Sequence, residues 1–268
     1  MAMLFSGAGQ KRLEEIARPG LLCAFDFDGT LAPLVAVPDN ARLPAHIRKR
    51  LLALSAYAPV AIITGRSLED IRTRLGFEPD FVVGNHGLEG VPGWEAESAQ
   101  HRDMCAGWMM QLAGILKQRL DDPGVQLEDK RYSLSVHYRM ARDPQQAART
   151  LESFFSKLSP PPRVVGGKYV FNLLAEDARN KGVALERLMQ ASGARNAIYV
   201  GDDVTDEDVF RLRRPDVLSV RVERHAETAA DFFLEQPEDI VQLLDELIER
   251  LRAAGAGNWV QTEVGSNA

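Results

Sequence analysis

Cysteine is scarce in this chain of 268 residues, with only Cys23 and Cys105. Two cysteines so placed form neither a metal-ligand spacing nor a disulfide framework, which sets aside zinc-finger and small secreted scaffolds. Cys23 lies inside the apolar run Leu21–Phe25 and reads as a small core residue. Long apolar runs are also missing. None approaches the roughly 20 residues that cross a bilayer. Residues 1–10 lack a basic segment leading into an apolar one, so no secretory leader is expected. An excess of positive charge is absent too: the net charge is −6, which disfavours nucleic acid and anionic membrane as partners. Internal repeats and low-complexity blocks are lacking. The expectation is a cytoplasmic protein without nucleic-acid or membrane partners, and a monomer.

What is present is an ordinary globular composition, 45% hydrophobic and 26% charged. The length suits one large domain or a main domain with an insertion. Residues 1–18 predict a short lead-in helix, followed by a strand at Leu21–Phe25. Pro33 and Pro38 keep the next segment extended or turning. Helical periodicity over Leu43–Tyr57 turns Ile47, Leu51, Leu52 and Leu54 inward and leaves Arg48, Lys49 and Arg50 solvated. Val60–Ile63 reads as a strand, Ser67 as the cap of a helix over Leu68–Leu75, and Phe81–Val83 as a third strand. Alternating strands and helices of this kind build a parallel sheet covered on both faces.

The pattern then changes. A helix over Ser98–Leu120, strands at Val125–Asp129 and Arg131–Arg139, a helix over Pro144–Leu158, and a hairpin of Arg163–Val165 with Lys168–Leu174 suggest an α+β insertion with an antiparallel sheet. The parallel style resumes with a helix over Lys181–Ala191, a strand at Ala197–Val200, a strand at Val217–Val222 and a helix over Pro237–Leu251, with a loose tail from about residue 254. The predicted domains are a discontinuous core, 1–98 with 174–268, and an insertion over 99–173.

Chemistry gathers at strand ends. Asp26 and Asp28 stand two residues apart where the strand Leu21–Phe25 stops, followed by Gly29 and Thr30. Burying a carboxylate costs several kcal/mol unless it is paired or coordinates a metal, so this pair asks for a cation, a phosphoryl group or both. Thr64-Gly65-Arg66, Lys181 and Asp202-Asp203 fall on the same predicted sheet edge, where ligands of open α/β sheets bind. Each alone has an ordinary explanation: a turn, a solvated lysine, an acidic helix start. Together they supply carboxylates for Mg2+, a hydroxyl and amides for phosphate oxygens, and a lysine to offset charge.

Asp26-Phe27-Asp28-Gly29-Thr30, Thr64-Gly65-Arg66, Lys181 and Gly201-Asp202-Asp203 resemble the four ordered motifs of the haloacid dehalogenase superfamily of phosphohydrolases, over about residues 20–250. An insertion between the second and third motifs resembles the C2-type caps of that superfamily. Within it, Gly84-Asn85-His86-Gly87-Leu88-Glu89, Leu127-Glu128-Asp129-Lys130, Ser135-Val136-His137-Tyr138-Arg139, Gly167-Lys168-Tyr169-Val170 and Gly201–Glu207 resemble the trehalose-6-phosphate phosphatase family. The resemblance implies a Rossmann-like parallel α/β core with an α+β cap, and a Mg2+-dependent hydrolysis of trehalose 6-phosphate through an aspartyl-phosphate.

Carried over by position, the resemblance makes Asp26 the nucleophile and Asp28 the acid and base. Mg2+ would be held by Asp26, the backbone carbonyl of Asp28, and Asp202. It assigns Thr64 and Lys181 to the phosphoryl group, with Gly65 beside them. Asp203 becomes an orienting carboxylate behind the metal ligands, Arg66 and His86 fall at the rim, and Glu128 and Lys130 bind sugar hydroxyls. Asn172 stands where the family carries a Glu that contacts sugar; Asn donates and accepts hydrogen bonds but has no charge. Three other readings stay open: a related phosphatase for a different glycosyl phosphate such as sucrose phosphate, a catalytically silent sugar-phosphate-binding regulatory domain, and a phosphomutase.

Overall fold

The computed structural model describes residues 1–35, 40–167 and 169–257, with the backbone alone for 117–119. Pro38, Lys168 and the last residues of the expected tail lie outside the described residues. By contacts the chain divides into two compact units, Met1–Pro92 with Arg179–Ala268, and Gly93–Ala178. These seams lie a few residues from 98/99 and 173/174. The long helix of the second unit already begins at Glu95, and the turn after its last strand closes within it, Ala178 N–H donating to the Ala175 carbonyl at 3.0 Å.

The first unit is built on strands β1 (Ala2–Met3), β2 (Leu21–Phe25), β3 (Val60–Ile63) and β4 (Phe81–Val83), with β9 (Asn196–Gly201), β10 (Val217–Val222) and β11 (Phe232–Leu234) after the insertion. They form one sheet in the order β1-β11-β10-β9-β2-β3-β4, and every pairing is parallel. Strands of such sheets are covered on both faces, which is why Leu-Leu-Cys-Ala-Phe is apolar throughout and wholly buried. Leu21, Cys23 and Phe25 share a core with α1 (Gly7–Ile16), α2 (Ala45–Leu54), α3 (Leu68–Leu75) and α7 (Ile240–Ala253). On the other side α6 (Lys181–Ser192) packs against β2 and β3 through buried Ala184, Leu185 and Leu188.

Two strands and one face differ from the sequence expectation. β1 has two residues and β11 three, too short to show a period, yet they add the outer edge of the sheet. Leu52 is 51% exposed, whereas Ile47, Leu51 and Leu54 are buried. The buried three follow the i, i+4, i+7 stripe of an α-helix, and Leu52 sits one step off it.

The second unit carries α4 (Glu95–Arg119), β5 (Gln126–Asp129), β6 (Leu134–His137), α5 (Pro144–Phe155), β7 (Arg163–Gly167) and β8 (Val170–Leu174). Its antiparallel sheet runs β5-β6-β8-β7. Leu134, Val136, Phe171 and Leu173 pack with Trp108 and Leu112 of α4 and Leu151, Phe154 and Phe155 of α5. Asp143 caps α5, accepting from the N–H groups of Gln145 and Gln146. On the opposite sheet face Glu128, Ser135 and Asn172 stand in one cross-strand row. Ser135 is fully buried; its strand is central in the sheet, and its hydroxyl donates to Asn172 Oδ1 at 2.6 Å. Among the described residues no helix is long and apolar enough to cross a membrane.

Candidate active site

All strands of the first sheet point one way, so β2, β3, β4 and β9 deliver their carboxyl ends to one edge. The chain leaves β2 toward β3 and β4 on one side and reaches β9, β10 and β11 on the other. The gap beyond β2 and β9 is therefore the point where the sheet order reverses, the usual crevice of such folds.

Asp26 follows β2 directly and is 5% exposed. Its backbone N–H donates to the Val200 carbonyl at 2.9 Å, which locks the loop to β9. Lys181, the first residue of α6, is 1% exposed. Its Nζ donates to Asp26 Oδ1 at 2.8 Å and to Asp206 Oδ1 at 2.7 Å. Asp206 is fully buried, and it accepts two further hydrogen bonds, from the Tyr199 hydroxyl at 2.6 Å and the Asp203 N–H at 2.9 Å. Burial pushes the Asp26 pKa up; Lys181 pulls it back and Asp206 and Asp202 raise it again, leaving it at about 7. Burial by itself depresses the Lys181 ammonium, but Asp26 and Asp206 outweigh it and hold its pKa above the ordinary value.

Asp202 follows β9 and turns toward the same place. Thr30 donates to its Oδ1 at 2.9 Å. Gly29 has φ +82°, and a Cβ there would lie 2.2 Å from Asp202 Oδ2; the glycine is what lets the two loops close on each other. Burial raises the Asp202 pKa to about 6 against the Thr30 hydrogen bond. Carboxylate oxygens of Asp26, Asp202 and Asp206 all lie within 4.8 Å of one another. An all-oxygen acidic set fits a hard divalent cation such as Mg2+. Both Asp206 oxygens already accept from protein donors, which leaves Asp26 and Asp202 as the acids with an open oxygen among the described residues.

Asp28 is gripped differently. Arg66 donates to it twice, Nε to Oδ2 at 2.6 Å and Nη2 to Oδ1 at 2.7 Å, and its Nη1 donates to Asp70 at 2.7 Å. Asp70 also accepts from Arg74, which is 6% exposed and reaches the Ala41 carbonyl at 3.1 Å. Arg66 thus belongs to a bidentate ion pair on the proposed acid. Thr64 is buried at the end of β3, its hydroxyl accepting from the Arg66 N–H at 3.2 Å. Gly65 is exposed beside the His86 ring. Asn85 and His86 both hold left-handed backbone, at φ 48° and 58°. Asn85 is fixed by donating to buried Glu89 at 2.9 Å.

Asp26, Thr64, Lys181 and Asp202 come together at the sheet edge with Asp28, Gly65, Arg66 and His86 around them. Asp203 does not join the buried acids: its side chain is exposed and it contributes its backbone N–H. Asp206 occupies the buried place, a residue the sequence reading passed over. The usable signal was Gly201, where a Cβ would stand 2.3 Å from Asp206 Cγ, together with the short turn Val204–Asp206 that folds the acid back under the strand. Glu128, Lys130 and Asn172 lie in the second unit. There His137 Nε2 is 2.8 Å from Glu128 Oε2, and Lys130 Nζ is 3.7 Å from it.

A family model described as trehalose-phosphatase matches residues 24–238. The chain belongs to the trehalose-phosphatase family. A trehalose-phosphate phosphatase of Mycobacterium tuberculosis is 34% identical over 250 residues, covering 86% of this chain and 62% of the relative. The chain thus spans less than two thirds of that relative's length. The trehalose-6-phosphate phosphatase of Aspergillus fumigatus shares the fold, with TM-score 0.68 and 23% identity over 93% of this chain and 99% of that one. So does the C-terminal domain of the trehalose synthase regulatory protein of Candida albicans, at TM-score 0.58 and 13% identity over 92% and 99% of the two chains. A fold common to phosphatases and a regulatory protein leaves the function to be read from the residues.

Proposed function

We propose that this trehalose-phosphatase family chain hydrolyses trehalose 6-phosphate to trehalose and phosphate with Mg2+ as cofactor. The observation that carries the reading is the buried Asp26–Lys181–Asp206 chain beside Asp202. A silent sugar-phosphate-binding domain has no need to bury two acids on one lysine with a third half-buried beside them, at a cost of several kcal/mol per buried ion.

An oxygen of Asp26 attacks phosphorus while the bond to the sugar oxygen breaks and Asp28 gives that oxygen its proton. Asp28 then takes a proton from water, the water oxygen attacks phosphorus, and the bond to Asp26 breaks to free phosphate. Acid–base help of this kind contributes about 10²–10⁴-fold. Asp28 must part from Arg66 to act. Thr64, the Gly65 amide and Lys181 hold phosphoryl oxygens, and Asp206 keeps Lys181 in place. Asp26, the Asp28 carbonyl and Asp202 would hold Mg2+, which supplies positive charge to the nucleophile and the phosphoryl oxygens. With its pKa at about 7, Asp26 is only partly ionised at neutrality, so the nucleophile benefits directly from that charge. Glu128, Lys130 and Asn172 take the sugar, and the second unit sets specificity.

The test is phosphate release from a panel of sugar phosphates, with Mg2+ and with EDTA. The expected result is turnover of trehalose 6-phosphate above the others, lost in EDTA and in Asp26→Asn. Equal rates across unrelated sugars would refute the substrate, phosphate conserved on sugar would identify a mutase, and no turnover would leave a binding domain.

A further inference from the structure

The loop that presents Asp202 is held from behind by a residue outside the motifs. Arg221 stands on β10 directly opposite Gly201 of β9, and its side chain is only 11% exposed. Its Nη2 donates to the main-chain carbonyl of Asp202. Its Nη1 donates to the carbonyl of Asp203 at 3.2 Å and to Glu207 Oε1 at 3.3 Å. Glu207 is 5% exposed, and its Oε2 accepts from the Ala229 N–H at 2.9 Å. The Arg221 Nε is buried with no acceptor among the described residues. The side chain therefore leaves one of its own donors unsatisfied to place its two ends on the loop.

Two consecutive carbonyls turned onto one guanidinium fix the peptide planes on both sides of Asp203. Asp202 is then constrained from three directions: by β9 through Gly201, by Arg221 at its carbonyl, and by Thr30 at its carboxylate. We propose that Arg221, backed by Glu207, is a positioning residue that sets the affinity of the Asp26/Asp202 site for its divalent cation by holding the main chain of Asp202 and Asp203. The inference rests on the cation site of the function proposed above. Its sign is informative. The guanidinium is itself positive, so by charge alone it repels a cation, and only its geometric effect favours binding.

Mg2+ titration by calorimetry on metal-free protein tests this without reference to turnover, with unfolding in EDTA measured alongside. Arg221→Met is expected to weaken Mg2+ binding by about 10-fold or more, in the range seen when groups behind metal ligands are removed. Arg221→Lys, which keeps the charge but not the planar fork, is expected to be weakened to a lesser degree, and Glu207→Gln by a few-fold. Unchanged or tighter binding in Arg221→Met overturns the proposal, whatever happens to its stability in EDTA. If Arg221→Met does not fold, wild-type affinity in both Arg221→Lys and Glu207→Gln overturns it. A wild-type chain that binds no Mg2+ overturns the cation site and the proposal together. A wild-type chain that binds Mg2+ through Asp202, shown by loss in Asp202→Asn, leaves the cation site standing and judges Arg221 alone.

Discussion

Replacing Lys181 with Met removes what is, among the described residues, the one cationic partner of two buried acids, while nearly preserving side-chain volume. Asp26 is 5% exposed and Asp206 fully buried, and Lys181 donates to both at 2.8 and 2.7 Å. Breaking a buried pair by deleting one partner costs about 3–5 kcal/mol because a charge is left uncompensated. The pH dependence gives this prediction its edge. Asp26 already has a folded pKa of about 7 against an ordinary 3.8, and losing Lys181 raises it further. A carboxyl whose folded pKa is raised binds more protons folded than unfolded, so stability falls as pH rises, by about 1.4 kcal/mol per pH unit for one proton. In the wild-type protein that fall ends near pH 7; in Lys181→Met it continues above it. The destabilisation of Lys181→Met relative to wild type is therefore expected to be large at pH 8 and smaller at pH 5, where Asp26 is protonated in both. Urea unfolding in EDTA at the two pH values measures it. A loss below about 1 kcal/mol at pH 8, or one that does not shrink at pH 5, would refute the electrostatic reasoning. Phosphate release by this variant is expected to fall by about 10²–10³-fold, the usual cost of removing a preorganised donor.

Gly29→Ala places a methyl 2.2 Å from Asp202 Oδ2 at φ +82°; it is expected to weaken Mg2+ binding at least 10-fold, read by calorimetry, and to lower the melting temperature in EDTA. Apparent Mg2+ affinity is expected to rise from pH 5 to about pH 7 and then level, because protons on Asp26 and Asp202, with pKa values of about 7 and 6, compete with the cation; calorimetry in two buffers of different ionisation enthalpy should show proton release below pH 7. In the second unit Trp108→Phe removes a fully buried indole whose N–H donates to the Pro160 carbonyl at 2.6 Å; a loss of about 2–4 kcal/mol in urea unfolding is expected.

The parts of the fold that sequence reveals are those whose burial is periodic or complete. The apolar runs Leu21–Phe25 and Val60–Ile63 appear at their expected bounds because a central parallel strand has no polar face to blur them. Ser67 and the two acids after it mark α3 for the same local reason, a cap that accepts from the Asp70 N–H at 3.2 Å. β1 and β11 escape because their place is decided by a distant neighbour, each lying alongside the other. The site divides the same way. Asp26, Thr64, Lys181 and Asp202 can be chosen from sequence by their positions at element ends. Asp206 cannot be chosen by adjacency, since the buried acid is four residues beyond Asp202, reached through a tight turn. The Arg66 grip on Asp28 is equally hidden, because nothing in the separation of the two positions shows that their side chains meet twice.

The charges at the sheet edge make stability and function one problem. Asp26, Asp202 and Asp206 are three acids around a single lysine, while Asp28 is matched by Arg66. When all are ionised the cluster carries two surplus negative charges in a setting that is mostly buried, which is why burial drives the Asp26 and Asp202 pKa values upward. Protons can relieve the surplus, but a protonated Asp26 could not serve as the proposed nucleophile. A divalent cation relieves it while leaving the carboxylate free to react. The same cluster that makes the metal-free fold less stable as pH rises is thus the one that, in the proposed function, would select a doubly charged ion. A phosphate dianion could not approach such a cluster without it. Removing an acid should strengthen the metal-free fold at alkaline pH and weaken cation binding at once, so the two effects are expected to move in opposite directions in Asp202→Asn.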